Sequence, residues 1–304
     1  MIWAALPLAA LTAAPFLPEL FREPVTGRPV PEDIQFADLP KGRIAYRWQG
    51  DEADPVVVCV HGLTTPGLVW EGLAPHLVGA GFRVLTLDLY GRGNSDRPRG
   101  KQDAAFFNAM LSELFDHLHL TAPVTLIGNS MGSAISANFA AARPDRVRQV
   151  VLLVPAGLGH DLGRAADLAR RFPVLGQWMI HAFYPGTLRK GVAAERALSS
   201  SVTGIYDRQL EELRYRGFLR SVQNSLSGIL GTALEEAHRK LHDAEIPVVA
   251  VWGAEDDIIP LSCKDRLAMW NPEATQIVMD GCGHGLVYTH TDALWQRLGP
   301  ALKR

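Results

Sequence analysis

Short apolar runs recur along the chain and are separated by stretches with apolar residues at helical spacing. Runs of this kind are typical of strands buried on both faces of a parallel sheet. The predicted strands are residues 55–60, 83–88, 123–127, 147–155, 247–252 and 274–279. The predicted helices are residues 70–78, 106–118, 133–140 and 286–302. Because strands and helices alternate, the chain is predicted to form an α/β fold with a mostly parallel central sheet flanked by helices.

Two segments ahead of these runs alternate apolar and polar residues. They are residues 34–39 and 43–48, with Pro40, Lys41 and Gly42 between them. Alternation of this kind is typical of strands with one solvated face, and the short connection favours a hairpin. We therefore expect an antiparallel hairpin before the parallel strands.

Residues 156–244 have no strand-like runs. Their pattern predicts helices at residues 164–171, 188–201, 206–219 and 234–241. We interpret this segment as an α-helical cap inserted between two core strands, which makes residues 32–155 and 245–304 the core. Its basic pieces contain Arg164, Arg170, Arg171, Arg214, Arg216 and Arg220. Such arginines more often form a solvated helix face than a site for an anionic substrate, and we favour the solvated face.

Residues 1–31 form an apolar N-terminal segment followed by a linker. Residues 2–21 carry a single charged side chain, Glu19, and are about long enough to span a bilayer. Pro7, Pro15 and Pro18 interrupt the pattern, and no basic residue precedes it. A membrane anchor and an arm packed on the protein are equally compatible with this pattern, and an atypical cleaved signal is less so. We therefore expect a cytoplasmic protein or one that associates with membranes through residues 2–21.

Composition and charge narrow the possible partners. The chain has 304 residues and a net charge of −2, which gives no broad electrostatic reason to expect nucleic acid as a partner. Cys59, Cys263 and Cys282 form no even-numbered disulfide framework. No cysteine or histidine spacing typical of a metal site occurs, so neither a metal nor a cofactor is expected. The sequence does not determine the oligomeric state.

The segment Gly128-Asn129-Ser130-Met131-Gly132 follows one predicted strand and precedes a helix of small residues. G-x-S-x-G between a strand and a helix is typical of a nucleophile elbow, a turn so tight that the serine is strained and its hydroxyl is exposed. A turn that merely begins a helix is the alternative. The context favours Ser130 as a nucleophile.

A nucleophilic serine needs a base and a third group that orients the base, in the chain order serine, acid, histidine. Glu255, Asp256 and Asp257 directly follow the predicted strand 247–252. They therefore lie at the carboxyl end of a parallel strand, where the active sites of such sheets lie. His284 follows the last predicted strand within Gly281-Cys282-Gly283-His284-Gly285. We take His284 as the base, with any of the three carboxylates as the acid.

Several motifs in order resemble the α/β-hydrolase fold superfamily, in its cap-bearing serine esterase and lipase-like branch. They are His61-Gly62, the turn Asp88-Leu89-Tyr90-Gly91-Arg92-Gly93-Asn94-Ser95-Asp96, the elbow at residues 128–132, Trp252-Gly253-Ala254-Glu255-Asp256-Asp257-Ile258-Ile259-Pro260, and Gly283-His284. The resemblance covers roughly residues 34–300 and places the helical segment in the family's cap position.

The resemblance implies a role for each site residue. It selects Asp256 as the acid and leaves Asp257 and Glu255 as substitutes. The backbone N–H groups of Leu63 and Met131 are expected to bind the oxyanion. His61 and Asp88 are expected to hold loops, and no cofactor is implied.

The implied activity is hydrolysis of small to medium carboxylic esters through an acyl-enzyme. The elbow also resembles that of carbon–carbon bond hydrolases of ring-cleavage products, but those carry G-H-W-A-Q where this chain has Gly283-His284-Gly285-Leu286-Val287. Epoxide hydrolases and haloalkane dehalogenases use a carboxylate where this chain has Ser130. A non-catalytic binding protein on the same fold is a further alternative, although such proteins often lose triad residues.

Overall fold

One continuous sheet forms the centre of the protein in a computed structural model that describes residues 12–159 and 163–303. Its eight strands lie in the order β1-β2-β4-β3-β5-β6-β7-β8. They are β1 (Gln35–Leu39), β2 (Gly42–Gln49), β3 (Val56–Val60), β4 (Arg83–Leu87), β5 (Val124–Asn129), β6 (Val147–Leu153), β7 (Val248–Gly253) and β8 (Thr275–Met279). Strand β2 is antiparallel to β1 and to β4, and the other pairs are parallel. The predicted hairpin and mostly parallel sheet are confirmed.

Helices cover both faces of the sheet. The helices of the core are α2 (Ala74–Gly79), α3 (Ala104–His117), α4 (Met131–Ala142), α10 (Cys263–Trp270), α11 (Leu286–Thr289) and α12 (Thr291–Leu298). One apolar cluster lies under α3 and α4, and a second lies under α2 and α12. Strand β5, at the middle of the sheet, is buried along its whole length because both faces are covered.

Two helix predictions in the core are wrong in their bounds. The helix predicted at residues 70–78 begins only at Ala74, after a 3₁₀ turn at Gly67–Trp70. The closing helix predicted at residues 286–302 is broken in two at His290, which has φ −132° and ψ 38° and ends the helical path. Helical spacing of apolar residues continues across this break, so periodicity alone does not reveal it.

Between β6 and β7 the described residues form helices and connecting segments but no strand, and we call residues 156–244 the helical insertion. Its helices are α5 (Gly163–Arg171), α6 (Pro173–Glu195), α7 (Ile205–Glu211), α8 (Phe218–Leu226) and α9 (Glu235–Asp243). Helix α6 is much longer than the predicted helix at residues 188–201 and contains Pro185. The predicted helix at residues 206–219 is two helices, separated by a 3₁₀ turn at Glu212–Arg214 and by Gly217.

The segment before β1 follows the surface of the helical insertion, and we call residues 14–31 the arm. A 3₁₀ turn at Ala14–Phe16 and helix α1 (Leu17–Phe21) begin it. Glu23 then pairs with Tyr215 in a single β-bridge. Residues 2–11 of the predicted apolar segment lie outside the described residues. Within residues 12–159 and 163–303, no helix combines the length and apolarity needed to cross a bilayer.

Candidate active site

Ser130 lies at the turn between β5 and α4 in a strained backbone conformation. Its φ is 54° and its ψ is −113°, a region that residues with a Cβ rarely occupy. The turn is closed by two backbone approaches that only glycine allows. A Cβ on Gly128 would lie 2.3 Å from the Gly132 carbonyl oxygen, and a Cβ on Gly132 would lie 1.9 Å from the Val60 carbonyl oxygen. The glycines therefore allow the turn that presents the Ser130 hydroxyl above the sheet.

Ser130, His284 and Asp256 form one hydrogen-bonded row. The Nε2 atom of His284 lies 3.0 Å from the Ser130 Oγ atom, and the Nδ1 atom lies 2.8 Å from Asp256 Oδ2. Their positions follow from the sheet, because the carboxyl ends of neighbouring parallel strands meet at one edge. Ser130 follows β5, Asp256 follows β7 and His284 follows β8. The structure thus brings together three residues that are far apart in the chain.

Asp256 is the only one of the three neighbouring carboxylates that is buried. Its Oδ1 atom accepts hydrogen bonds from the backbone N–H groups of Ile258 at 2.9 Å and Ile259 at 2.8 Å, which leaves Oδ2 for His284. Glu255 and Asp257 are exposed to solvent. Backbone donors to one oxygen fix the orientation of the carboxylate, so the other oxygen can hold the imidazole in one tautomer.

The loop after β3 carries Leu63, one of the two expected oxyanion donors, and His61 orients this loop. His61 Nε2 accepts a hydrogen bond from the Leu89 N–H at 2.8 Å, so Nδ1 carries the proton and donates to the Gly62 carbonyl at 2.8 Å. That carbonyl and the Leu63 N–H belong to one planar trans peptide and point in opposite directions. Within the described part of the chain, the N–H groups of Leu63 and Met131 donate to no protein acceptor. Both remain available to a ligand.

The hydrogen bonds of His61 require a neutral ring. Burial, together with the positive charge of Arg92, lowers the pKa of His61 to about 3. A proton on Nε2 would oppose the Leu89 N–H, so the folded loop is compatible only with the neutral imidazole.

Arg92 holds the other side of the same loop from the turn after β4. Its Nε atom donates to the Leu63 carbonyl at 2.9 Å, and Nη1 donates to Gln102 Oε1 at 2.8 Å. Its Nη2 atom donates to the hydroxyl of Ser225 in α8 at 3.0 Å. Burial lowers the pKa of Arg92 to about 10, which leaves the guanidinium charged at neutral pH. One fully buried cation therefore joins the expected oxyanion loop to the helical insertion.

A second buried charge, Glu212, joins the arm, the core and the helical insertion. Its carboxylate accepts hydrogen bonds from Arg28 of the arm and from the Gly93 N–H of the core, the latter at 3.1 Å. Arg97 lies 3.6 Å from the same carboxylate. Burial lowers the pKa of Arg28, but the surrounding carboxylates, Glu212 foremost, together raise it by more, so the net pKa is raised.

Sequence reasoning did not find the roles of Arg92 and Glu212. Arg92 occupies a variable position of the recognised turn motif, and the only signal was its place between two glycines of that motif. Glu212 is one of two adjacent glutamates in a helical pattern, which ordinarily indicates a solvated face. Its burial depends on partners that lie 115 residues or more away, since Arg97, Gly93 and Arg28 all precede it by at least that distance.

An open cavity of about 770 Å³ is lined mainly by the helical insertion, and Ile258 of the core also borders it. Met179, Ile180, Phe183 and Tyr184 of α6 supply much of its apolar wall, and Ile258 of the Asp256 loop completes it. Gly157 also lines it, and the preceding residue, Ala156, donates its N–H to the Ser130 carbonyl at 3.3 Å. The cavity therefore borders the segments that hold Ser130 and Asp256. Phe172 and Leu175 of the insertion are exposed and do not line this cavity.

The cysteines and acidic residues form no further reactive centre in the described part of the chain. Cys59, Cys263 and Cys282 are all free and buried, and burial raises the pKa of each thiol. Across residues 12–159 and 163–303, no three His, Cys, Asp or Glu side chains are grouped closely enough to hold a metal ion.

A family model described as alpha/beta hydrolase fold matches residues 55–291. This range contains the elbow, the acid loop, His284 and the helical insertion. The chain belongs to the α/β-hydrolase fold family, whose members are hydrolase-fold enzymes.

Relatives of the chain are named for different reactions. The dihydrolipoyllysine-residue acetyltransferase component of an acetoin cleaving system from Pseudomonas putida is 30% identical over 251 residues, which are 80% of this chain and 62% of that relative. The haloalkane dehalogenase of Mycolicibacterium paratuberculosis is 30% identical over 75% of this chain and 76% of its own length. The 2-hydroxy-6-oxo-6-phenylhexa-2,4-dienoate hydrolase of Burkholderia cepacia is 28% identical over 71% of this chain and 75% of its own length.

The fold also matches solved structures. The enol-lactonase of Burkholderia xenovorans LB400 superposes with a TM-score of 0.71 over 88% of this chain and 98% of its own, at 19% identity. At this identity the likeness shows the fold alone. The family and the fold define a hydrolase, and the substrate class depends on the site.

Proposed function

We propose that the protein is a serine hydrolase that cleaves carboxylic esters through an acyl-enzyme intermediate. The observation that carries the proposal is the hydrogen-bonded row in which His284 contacts both Ser130 Oγ, at 3.0 Å, and Asp256 Oδ2, at 2.8 Å. These distances are those needed for direct proton transfer from nucleophile to base, with the base held by the acid.

Acylation begins when Ser130 Oγ attacks the ester carbonyl carbon. His284 Nε2 accepts the serine proton and then donates it to the departing alkoxide, so the alcohol leaves neutral and the acyl group remains on Ser130. Water then attacks the acyl-enzyme with His284 again as the base, which releases the acid and restores the serine. Asp256 stays ionised and stabilises the imidazolium that forms in each half-reaction.

The negative charge that develops on the carbonyl oxygen is bound by the N–H groups of Leu63 and Met131. Met131 is the first residue of α4, so its N–H lies at the positive end of the helix dipole. Each such donor typically lowers the barrier by about 3 kcal/mol. His61 and Arg92 hold the Leu63 loop in place before the substrate arrives, which avoids the cost of reorganising it during the reaction.

The helical insertion acts as a cap in this proposal, and the cavity beneath it accepts the acyl chain. The wall contributed by α6 is apolar, and the volume of about 770 Å³ is in the range of small-molecule sites. Small to medium acyl chains fit these properties. Ser130 at the nucleophile position distinguishes the chain from its haloalkane dehalogenase relative, because that chemistry uses a carboxylate.

The test is hydrolysis of p-nitrophenyl esters of increasing chain length by the wild type and by Ser130→Ala. We expect the wild type to show an initial burst of at most one equivalent of p-nitrophenol per protein, and Ser130→Ala to fall to the background rate. The preferred chain length then reports the size of the acyl site. Equal rates for the two proteins, or no hydrolysis by either, would contradict the proposal.

Cleavage of a carbon–carbon bond in ring-cleavage products is the second candidate. The relative from Burkholderia cepacia, named as a dienoate hydrolase, favours it. The same serine, base and acid would serve that reaction, although Gly285 and Leu286 stand where such enzymes carry tryptophan and alanine. The loss of absorbance of a 2-hydroxy-6-oxo-dienoate, measured beside the esters, discriminates the two: a kcat/KM that is higher for the dienoate than for every ester would favour this candidate.

A further inference from the structure

The arm is docked on the helical insertion through ring, side-chain and backbone contacts, among them those of Phe16, Glu19 and Glu23. The ring of Phe16 lies 4.7 Å from the ring of His181 in α6. The Glu19 carboxylate accepts a hydrogen bond from the Gly217 N–H. The Glu23 N–H donates to the Arg214 carbonyl at 3.1 Å, and the Glu23 carbonyl accepts from the Arg216 N–H at 2.8 Å. These contacts fix which side chains of the arm face outward.

The outward side chains of α1 are apolar. Leu17, Leu20 and Phe21 are all exposed, and 86% of the Phe21 surface is in contact with solvent. Single exposed apolar residues need no explanation, but a group of this kind marks an interaction site.

Arginines surround this apolar group. Arg216 donates to the Leu20 and Arg22 carbonyls, both at 3.1 Å, so its guanidinium lies against the backbone of α1. Arg189 of α6 is close enough to Arg22 for its charge, after burial, to lower the pKa of Arg22. Arg220 of α8 is within electrostatic range of Glu19.

The nearby carboxylates do not neutralise this group. Glu19 pairs with Arg22 at 2.8 Å, and Glu23 pairs with Arg214 at 2.8 Å. Within residues 12–159 and 163–303, Arg189, Arg216 and Arg220 pair with no carboxylate. We call the exposed apolar residues Leu17, Leu20 and Phe21 and these three arginines the arm surface. It combines apolar side chains with a positive charge, on a protein whose net charge is −2.

We propose that the arm surface docks on the surface of an anionic lipid bilayer. The apolar side chains of α1 match the boundary between headgroups and acyl chains, and the arginines match the lipid phosphates beside it. A purely electrostatic partner would not account for the exposed Phe21, and a purely apolar partner would not account for the unpaired arginines. In the sequence, residues 1–11 precede the arm with Ile2, Trp3, Leu6, Leu8 and Leu11 and with no charged side chain. The inference does not depend on the reaction proposed above.

The test is flotation of the full chain with vesicles of phosphatidylcholine, alone or mixed with phosphatidylglycerol. We expect the protein to float with the mixed vesicles and to be released from them by high salt, because surface charges are screened. The variant Leu17→Ser/Leu20→Ser/Phe21→Ser should bind the mixed vesicles at least about tenfold more weakly. The variant Arg189→Gln/Arg216→Gln/Arg220→Gln should lose about a hundredfold, since each arginine near an anionic surface contributes about fivefold.

Met269→Ser is the matched control, because Met269 is 65% exposed but lies on α10 of the core. This control should float like the wild type. The serine variant and Met269→Ser should both keep the wild-type melting temperature, since the substituted side chains are exposed. Equal flotation of the wild type and the serine variant would overturn the proposal. It would also be overturned if the serine variant converts a dimer to a monomer without changing vesicle binding, because the arm surface would then join two copies of the chain.

Discussion

The core and the helical insertion are held in place by different interactions. In the core, β5 lies between β3 and β6 with continuous parallel pairing, and the site residues follow directly from strand ends. The insertion meets the core through apolar packing and also through buried charges, among them Arg92 and Glu212. A strand end is fixed by many backbone hydrogen bonds, whereas each buried charge depends on a few partners. Substitutions in the core site should therefore change the reaction, and substitutions at the junction should change stability and the shape of the site.

The largest effect is expected from Asp256→Asn in the core. The amide can still accept from Ile258 and Ile259, but it no longer stabilises the imidazolium of His284. We expect kcat to fall about 10⁴-fold with little change in unfolding free energy. Steady-state kinetics and urea unfolding measure the two quantities. The exposed Asp257→Asn is the control, and an equal loss of kcat in that control would show that the acid was assigned to the wrong carboxylate.

Glu212→Gln should produce the largest change in stability at the junction. The substitution removes the buried counter-charge that Arg28 and Arg97 share, which typically costs about 3–5 kcal/mol. Urea unfolding measures the loss. Glu211→Gln provides the comparison, because Glu211 is partly exposed and lies 3.9 Å from the same Arg28. If both substitutions cost less than about 1 kcal/mol, the buried charges do not hold the insertion in place.

Arg92→Lys should affect both regions, because Arg92 contacts the Leu63 loop of the core and Ser225 of the insertion. The effect should be smaller than those of the two substitutions above. Lysine keeps the charge but cannot donate at once to the Leu63 carbonyl, Gln102 and Ser225. We expect kcat to fall about tenfold to a hundredfold, or about 1.4–2.8 kcal/mol of barrier, with KM changed much less. Kinetics on the preferred ester provide the measurement. A rise in KM with unchanged kcat would instead assign Arg92 to substrate binding under the insertion.

The smallest effect is expected for the pH dependence of stability, to which one buried histidine in each region contributes. Burial, with the charge of Arg92, lowers the pKa of His61 in the core to about 3, and burial lowers that of His238 in α9 to about 4, both from 6.5. Below pH 6.5 the unfolded chain binds protons that the folded protein does not, so stability falls as the pH is lowered and stops falling below the folded pKa values. Between about pH 7 and about pH 5.5, each histidine should reduce the unfolding free energy by about 1 kcal/mol.

Urea unfolding at several pH values measures this slope. His238→Gln should remove the contribution of the insertion to this pH dependence and leave that of His61. The loss of unfolding free energy between about pH 7 and about pH 5.5 should then be smaller by about 1 kcal/mol. An unchanged slope in this variant would mean that His238 is protonated in the folded protein.

Local motifs allowed much of the candidate site to be predicted. Ser130, Asp256 and His284 each follow an apolar run, and parallel strands bring such positions to one edge of the sheet. Gly128 and Gly132 lie where a neighbouring backbone carbonyl is too close for any side chain. The break at His290 and the full extent of α6 were not predicted. Periodic apolar residues continue past a helix end, and a proline inside a helix, such as Pro185, is unfavourable on local grounds.

The eight strands, the elbow and the residues of the candidate triad could be predicted from the sequence, because each depends on neighbours within a few positions. The tertiary structure alone decided which charges are buried and where the arm lies. Arg28 and Glu212 meet across 184 residues, and Glu19 and Gly217 meet across 198. Contacts at such distances depend on how the insertion packs on the core. A glutamate buried between two arginines and one on a solvated helix face have the same local sequence pattern.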